Sequence, residues 1–421
     1  MNIKIFESNL TGTLDIPGSK SQTIRAIICA ALANGKSYIK NISFCDDVKV
    51  AIDAVKTLGA KVEIFLDKNN NKYLEITGLK SKPNHKIKIN CKESATVFRI
   101  FLSIVAVLGI ETKFILEKSL IKRKFNYLTN ELSKHGIIYK NNLSEGYLIS
   151  KGQIILKDFV LPGHISSQYI TSLLISLSLI KTNNKKKFLK IKLSSELKSS
   201  SYVEMTIDIL KKFGIKIKKN NKKNNKEFII FLNQEFKPTS IQIEKDYSIA
   251  ANFLVAKCLN SKNLIIKNLP KNSLQGDKLI LDIIKKINFK KFIKIDADSC
   301  IDIIPILVVL FCFKNIKSVI YNVSRLRLKE SDRLTAICES LKKLGATIYY
   351  NNDKILINNQ KKLLGNIFLN SYSDHRIAMA LAIAAINCKH PVIISDAESV
   401  NKSFPEFWST LKKHGCNLEF I

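Results

Sequence analysis

The chain has 421 residues, 46% of them hydrophobic and 24% charged, which suffices for two or three domains with proper cores and excludes wholesale disorder. Its start, MNIKIFESNLTGTLDIPGSK, has no apolar run behind a basic stretch, and runs such as IDIIPILVVLFCF carry an acid and a proline and fall short of a membrane span, so a cytoplasmic protein without a membrane partner is expected. The formal charge of +33 invites a nucleic-acid partner, yet much of it lies in the Lys/Asn tracts KTNNKKKFLK and KKNNKKNNKEF, which lack interleaved aromatics and read as solvated loop or hairpin tips.

The first informative segment is LDIPGSKSQTIRAIICAALANG: a strand, a Pro-Gly turn, then a helix predicted from near Ser19 to Gly35. Its N-terminal amides with Lys20, Ser21 and Arg25 make an anion site, Ser21 and Arg25 being four apart on one face. A plain capped helix with a basic first turn has the same pattern.

From there a repeat runs through the chain: an amphipathic helix ending in Leu-x-x-apolar-Gly, followed at once by a strand. It reads VKTLGAKVEIF, LSKHGIIY, LKKFGIKIKK, LKKLGATIYY and LKKHGCNLEF, with a degenerate copy in IIKKINFKKF. Gly59, Gly136, Gly214, Gly345 and Gly415 suit the left-handed position just past a helix end, with Asn288 as the substitute in the degenerate copy. Spacings of roughly 57 to 78 residues mark supersecondary modules rather than a short-period solenoid. Six such units, three per half, imply two domains, each with a helical core beneath its sheets. One spans 19–243; the other takes 244–421 with 1–18, so that the N-terminal strand joins the second domain. A ligand site in the cleft between them is expected.

Nine cysteines, scattered singly and without a CxxC pair, signal neither a disulfide framework nor a zinc site. Of the 68 basic residues only seven are arginine: Arg25, Arg99, Arg123, Arg325, Arg327, Arg333 and Arg376. In so lysine-rich a chain they should mark positions that need a planar, two-pronged donor for carboxylate or phosphate.

PGSKSQTIRA resembles the PGSKSxxxRA signature of EPSP synthases, and the other matches follow in order. LPGHISSQYITSLL is similar to the family's Ser-Ser-Gln segment, LRLKESDRLTAI to its LRxKESDR segment, SYSDHRIAMALAIAA to its DHRxAMA helix, and AESVNKSFPEFWSTLKKHG to its closing AxxVxKSFPxF stretch. The resemblance implies an α/β (α+β) fold of two domains, each of three βαβαββ units with helices inside and sheets outside, an inside-out α/β barrel. The activity implied is transfer of the enolpyruvyl group of phosphoenolpyruvate (PEP) to shikimate 3-phosphate, with closure of the cleft on the first substrate.

The resemblance also assigns residues. Shikimate 3-phosphate falls to Ser21, Arg25, Ser166, Ser167, Gln168, Ser199, Asp302 and Lys329, with Tyr202 against the shikimate ring. PEP falls to Lys20, Ala95, Arg123, Gln168, Arg333, Arg376 and Lys402. Asp302 is the base for the 5-hydroxyl, Glu330 the proton donor to carbon, and Lys20 assists at the bridging oxygen. Neither cofactor nor metal is implied, and a monomer is expected. If LKESDR is helical, Lys329 and Arg333 share a face; Arg99, Arg327, Asp246 and Asp374 read as structural, and His375 as packing. The chain departs from the family's pattern at Lys124 and Ile301, where proline is usual, at ELKSSSY, which lacks the proline before Tyr202, and at Glu93-Ser94-Ala95-Thr96 in place of Asn-x-Gly-Thr. A methyl at Ala95 should crowd glyphosate, which is longer than PEP, and reduce sensitivity to it. Two rivals remain: the UDP-N-acetylglucosamine enolpyruvyl transferase, in which Asn stands at the second serine of Gly-Ser-Lys-Ser, and a basic nucleic-acid-binding protein on the same scaffold.

Overall fold

Two kinds of helix alternate along the chain, and their sequences decide where each sits. The computed structural model describes residues 1–421 other than 69, 184, 223–224, 315 and 359–362. It divides into two compact units, Gly18–Glu244 and Met1–Pro17 with Lys245–Ile421.

In Gly18–Glu244 the helices are α1 (Lys20–Ala31), α2 (Asp46–Thr57), α3 (Ala95–Leu108), α4 (Lys118–Ile121), α5 (Asn126–Lys134), α6 (Ser167–Leu177) and α7 (Ser200–Lys212). α1, α3 and α6 are almost wholly buried, as helices at the centre of a core must be, even though the first turns of α1 carry Lys20, Ser21, Gln22, Thr23 and Arg25. α2, α5 and α7 bury one face only. Three four-stranded sheets flank these helices, all with one strand order: two parallel strands, then an antiparallel hairpin. Ile87–Lys92 runs parallel to Thr112–Leu116, which pairs with Tyr147–Lys151 and, through it, Ile138–Asn142. Phe159–Leu161, Phe188–Leu193, Asn225–Phe231 and Ile217–Lys222 repeat the pattern. In the third sheet the first strand comes from the far end of the segment, Ser240–Gln242, beside Lys36–Lys40. Strict burial alternation in Ile87–Lys92 shows one face on the core and one in water.

The other unit holds α8 (Tyr247–Leu259), α9 (Leu279–Ile287), α10 (Ile304–Lys314), α11 (Arg333–Lys343), α12 (His375–Ala385) and α13 (Phe407–Lys413). Phe292–Asp296, Lys317–Tyr321, Lys354–Ile357 and Ile348–Tyr350 form one sheet. In the next, Ile3–Ile5 lies between Val392–Ile394 and Leu418–Phe420, so the first strand of the chain closes the last repeat. The repeat around α8 and α9 is abbreviated: among the described residues it has only Gly12–Asp15 parallel to Leu264–Lys267, without a closing hairpin.

The five expected glycines all have positive φ, from 82° to 108°. At Gly59 the pattern is complete: Gly59 N bonds to the Lys56 carbonyl and Ala60 N to that of Val55, closing the end of α2. Asn288 departs from expectation. Its φ is −69°, because α9 ends in an ordinary right-handed turn whose carbonyl at Lys286 accepts from Phe289 and Lys290. α1 also stops earlier than predicted, at Ala31 rather than Gly35, since Leu79 N reaches the Ala31 carbonyl and the chain turns there. Of the Lys/Asn tracts, residues 184 and 223–224 lie outside the described residues; Ile217–Lys222 and Asn225–Phe231 on either side of the latter pair as a hairpin.

Candidate active site

Within Gly18–Glu244 the motif residues gather at the starts of the helices. Gly18 brings the chain into α1, and a Cβ there would stand 1.7 Å from the Asn41 carbonyl oxygen, so no other residue fits. Lys20 opens α1 and donates to Asp47 Oδ2 at 2.8 Å, on the first turn of α2. One turn on, Arg25 is 2% exposed. It donates from Nε to Thr206 Oγ1 (2.8 Å), from Nη1 to the Ser21 carbonyl (2.7 Å) and from Nη2 to Thr171 Oγ1 (3.5 Å). The Tyr202 ring lies 5.9 Å from the guanidinium carbon. None of these contacts is a carboxylate. Burial lowers the Arg25 pKa to about 10, against the opposing pull of Tyr202 and Cys29. A buried guanidinium answered only by hydroxyls, a carbonyl and a ring face has charge left for an anion.

A second group is built on Arg99, in α3. Its Nη1 donates to Gln168 Oε1 and, at 3.4 Å, to Ser166 Oγ, while Nη2 donates to the Lys124 carbonyl at 2.7 Å. Gln168 Nε2 donates to Thr96 Oγ1 at 2.9 Å. Ser166 caps α6, its hydroxyl accepting from Gln168 N, and Ser167 is the first buried residue of that helix. Ala95 opens α3 with 4% exposure, and Arg123 is buried between α4 and α5. Ser199 precedes α7 with φ 52° and ψ 47°, a left-handed conformation that costs a serine about 1 kcal/mol or more.

In the other unit the chemistry converges on Arg333, the first residue of α11 and 1% exposed. Nε and Nη2 grip both oxygens of Asp374, at 2.8 and 3.2 Å; Nη1 donates to Asp302 Oδ1 at 2.9 Å and Nη2 to Glu330 Oε2 at 2.6 Å. Burial alone would lower the Arg333 pKa, but Asp374, Glu330 and Asp302 together hold it above its ordinary value. Lys329 Nζ donates to the same Asp302 Oδ1 at 3.1 Å, and burial pulls that ammonium below its usual pKa against the attraction of Asp302. Asp374 is fully buried; it caps α12, accepting from Arg376 N, and accepts from Ser331 Oγ at 3.0 Å. Lys402, 7% exposed, ends the short helix Ala397–Lys402. Lys329 and Arg333 meet on Asp302 by a different route from that expected. Residues 329–332 are not helical, because the Asp332 side chain caps α11 through Thr335 N and so starts the helix at Arg333. Arg327 donates to Asp332, Thr335 and Asn352, bracing that cap, while Asp246 caps α8.

Sequence reasoning missed Asp47, Thr96, Thr171 and Thr206, all partners of assigned residues, and Asp277, a carboxyl 5% exposed in the turn Gly276–Lys278. Their partners lie 27 to 181 residues away, beyond the reach of any local pattern.

Residues 6–411 match the family model for EPSP synthase (3-phosphoshikimate 1-carboxyvinyltransferase). The 3-phosphoshikimate 1-carboxyvinyltransferase of Clostridium novyi is 39% identical over 98% of this chain and 97% of its own length. That of Clostridium acetobutylicum is 40% identical over 99% and 98%. Among solved structures, an EPSP synthase from Acinetobacter baumannii superposes with TM-score 0.76 at 20% identity, covering all of both chains. The enolpyruvyl transferase NikO from Streptomyces tendae gives 0.76 at 12% identity over 99% and 98%; these two show the fold. With the motifs in order and the full length matched, the chain belongs to the EPSP synthase family.

Proposed function

We propose that this chain transfers the enolpyruvyl group of PEP to the 5-hydroxyl of shikimate 3-phosphate, giving 5-enolpyruvylshikimate 3-phosphate and phosphate, a step of aromatic amino-acid biosynthesis toward chorismate. One observation carries the assignment of roles: a single guanidinium, Arg333, holds the two carboxylates that the reaction needs, Asp302 on Nη1 and Glu330 on Nη2. Asp302, positioned by Arg333 and Lys329, takes the hydroxyl proton as the oxygen attacks the central carbon of PEP, and Glu330 delivers a proton to the methylene carbon. The resulting tetrahedral ketal phosphate then loses a methyl proton as its C–O bond to phosphate breaks, with Lys20 serving proton traffic at the bridging oxygen. The 19–243 domain serves shikimate 3-phosphate through Ser21, Arg25, Ser166, Ser167, Gln168, Ser199 and Tyr202, with Asp302 and Lys329 from the 1–18 plus 244–421 domain. PEP is held by Lys20, Arg123, Gln168, Arg333, Arg376 and Lys402.

Two substrates with a phosphate and a carboxylate each need many fixed donors, and the carboxylate-free surroundings of Arg25 favour that use over a purely structural one. No helix among the described residues is long and apolar enough to cross a membrane. We propose a cytoplasmic monomer that uses neither cofactor nor nucleic acid, with reduced glyphosate sensitivity from the Ala95 methyl. Proton NMR of the purified protein with both substrates should show the enol ether of the product. No enol ether from folded protein, together with tight salt-sensitive binding to any polynucleotide, would favour the basic binding protein instead.

A further inference from the structure

We propose that Asp277 is a positioning residue that acts as a neutral carboxylic acid next to Asp302, and that its ionisation weakens the hold of Arg376 on PEP. This rests on the roles given above to Asp302 and Arg376. The turn Gly276–Lys278 packs against the turn Ile301–Ile303, which carries Asp302, and both pack against α8. Asp277 is 5% exposed, and its Oδ2 is hydrogen-bonded to Ser248 Oγ on the first turn of α8. The charged and titratable groups acting on it are Asp302, Arg376 and the α8 cap Asp246; it in turn acts on the buried Cys300 thiol.

An ionised Asp277 would therefore add a third carboxylate to Asp302, itself held by Arg333 and Lys329, and Asp246, with Arg376 as the guanidinium acting on it. Burial and the repulsion of Asp302 raise its pKa to about 7; Arg376 and the Ser248 hydrogen bond oppose them, and Asp246 adds to them. Below that pH Asp277 is neutral, Asp302 has no charged acid beside it from this turn, and Asp277 exerts no anionic pull on Arg376. Above it, Asp277 becomes a second anion competing for Arg376, so the KM for PEP rises with pH. No role in the chemistry is needed for Asp277 itself.

The test is kcat and KM for PEP from about pH 6 to about pH 9 in wild type, Asp277→Asn and Ser248→Ala. Substrate phosphates titrate alike in all three, so ratios cancel them. Asn keeps the carboxyl's shape but cannot ionise. The ratio of its kcat/KM to that of wild type should be flat below about pH 7 and climb by up to about tenfold per pH step above it. Ser248→Ala removes a hydrogen bond that favours the ionised form, so it should move the wild-type inflection to higher pH. An Asp277→Asn profile parallel to wild type at every pH, or an inflection unmoved by Ser248→Ala, overturns the proposal. Should Asp277→Asn fail to fold, Ser248→Ala decides alone. Turnover by wild type with unchanged profiles refutes only the role of Asp277, whereas no turnover by wild type refutes the reaction.

Discussion

Replacing Arg25 with methionine should leave the ligand-free protein close to its original stability while weakening its binding of shikimate 3-phosphate by roughly a hundredfold. The magnitude follows from the surroundings of the guanidinium. At about 1.4 kcal/mol per tenfold in proton affinity, the descent of its pKa from the ordinary guanidinium value to about 10 is about 3 kcal/mol of unfavourable free energy in the charged, folded form. Because the folded pKa is depressed, that penalty is present at every pH below about 10 and is relieved only as pH rises from there toward the ordinary guanidinium value. Against it stand three hydrogen bonds, worth about 1 kcal/mol each. Methionine forgoes both and fills a similar volume, and the threonines keep each other: Thr171 and Thr206 are bonded at 2.9 Å, and Thr206 donates to the Tyr202 carbonyl. The two contributions nearly cancel. An anion bound at Arg25 removes the penalty, so the variant should lose about 3 kcal/mol of substrate binding, roughly a hundredfold in KM for shikimate 3-phosphate. Thermal melting with and without shikimate 3-phosphate reads both effects. A variant that melts far below wild type yet keeps its ligand-induced rise would show Arg25 to be structural and refute this reasoning.

Asp374→Ala should destabilise the protein by about 3–5 kcal/mol, since it strips the bidentate partner from a buried guanidinium and uncaps α12; a loss under about 1 kcal/mol in denaturant unfolding would contradict that. Asp374→Asn retains a capping oxygen and should fall between the two. Ala95→Gly should lower the glyphosate inhibition constant relative to the KM for PEP, and an unchanged ratio would show that Glu93 and Ser94 have already reshaped the turn; Glu93 does accept from Ser119 Oγ.

What could be read in the sequence was what depends on local backbone. The helix-ending glycines were visible because positive φ leaves few choices of residue; of the seven scarce arginines expected to be two-pronged donors, Arg333 is one, gripping both oxygens of Asp374. Asn288 misled because an α-turn ends a helix without a left-handed residue. The LKESDR segment misled because the cap at Asp332 sets the start of α11. The abbreviated repeat around α9 leaves its trace in the shortest of the repeat spacings, the 57 residues from Asn288 to Gly345, but no residue pattern announces a missing hairpin. Asp277 was illegible for a different cause: its environment is made by Ser248 and by residues of the turn Ile301–Ile303, and only folding brings these together.

The most direct test of the account is phosphate release by the purified protein given PEP alone, shikimate 3-phosphate alone, or both, run in parallel with Asp302→Ala. Release is expected only with both substrates, with a loss of at least about a hundredfold in kcat when the base is removed. Release from PEP without shikimate 3-phosphate, or full activity in folded Asp302→Ala, would contradict it.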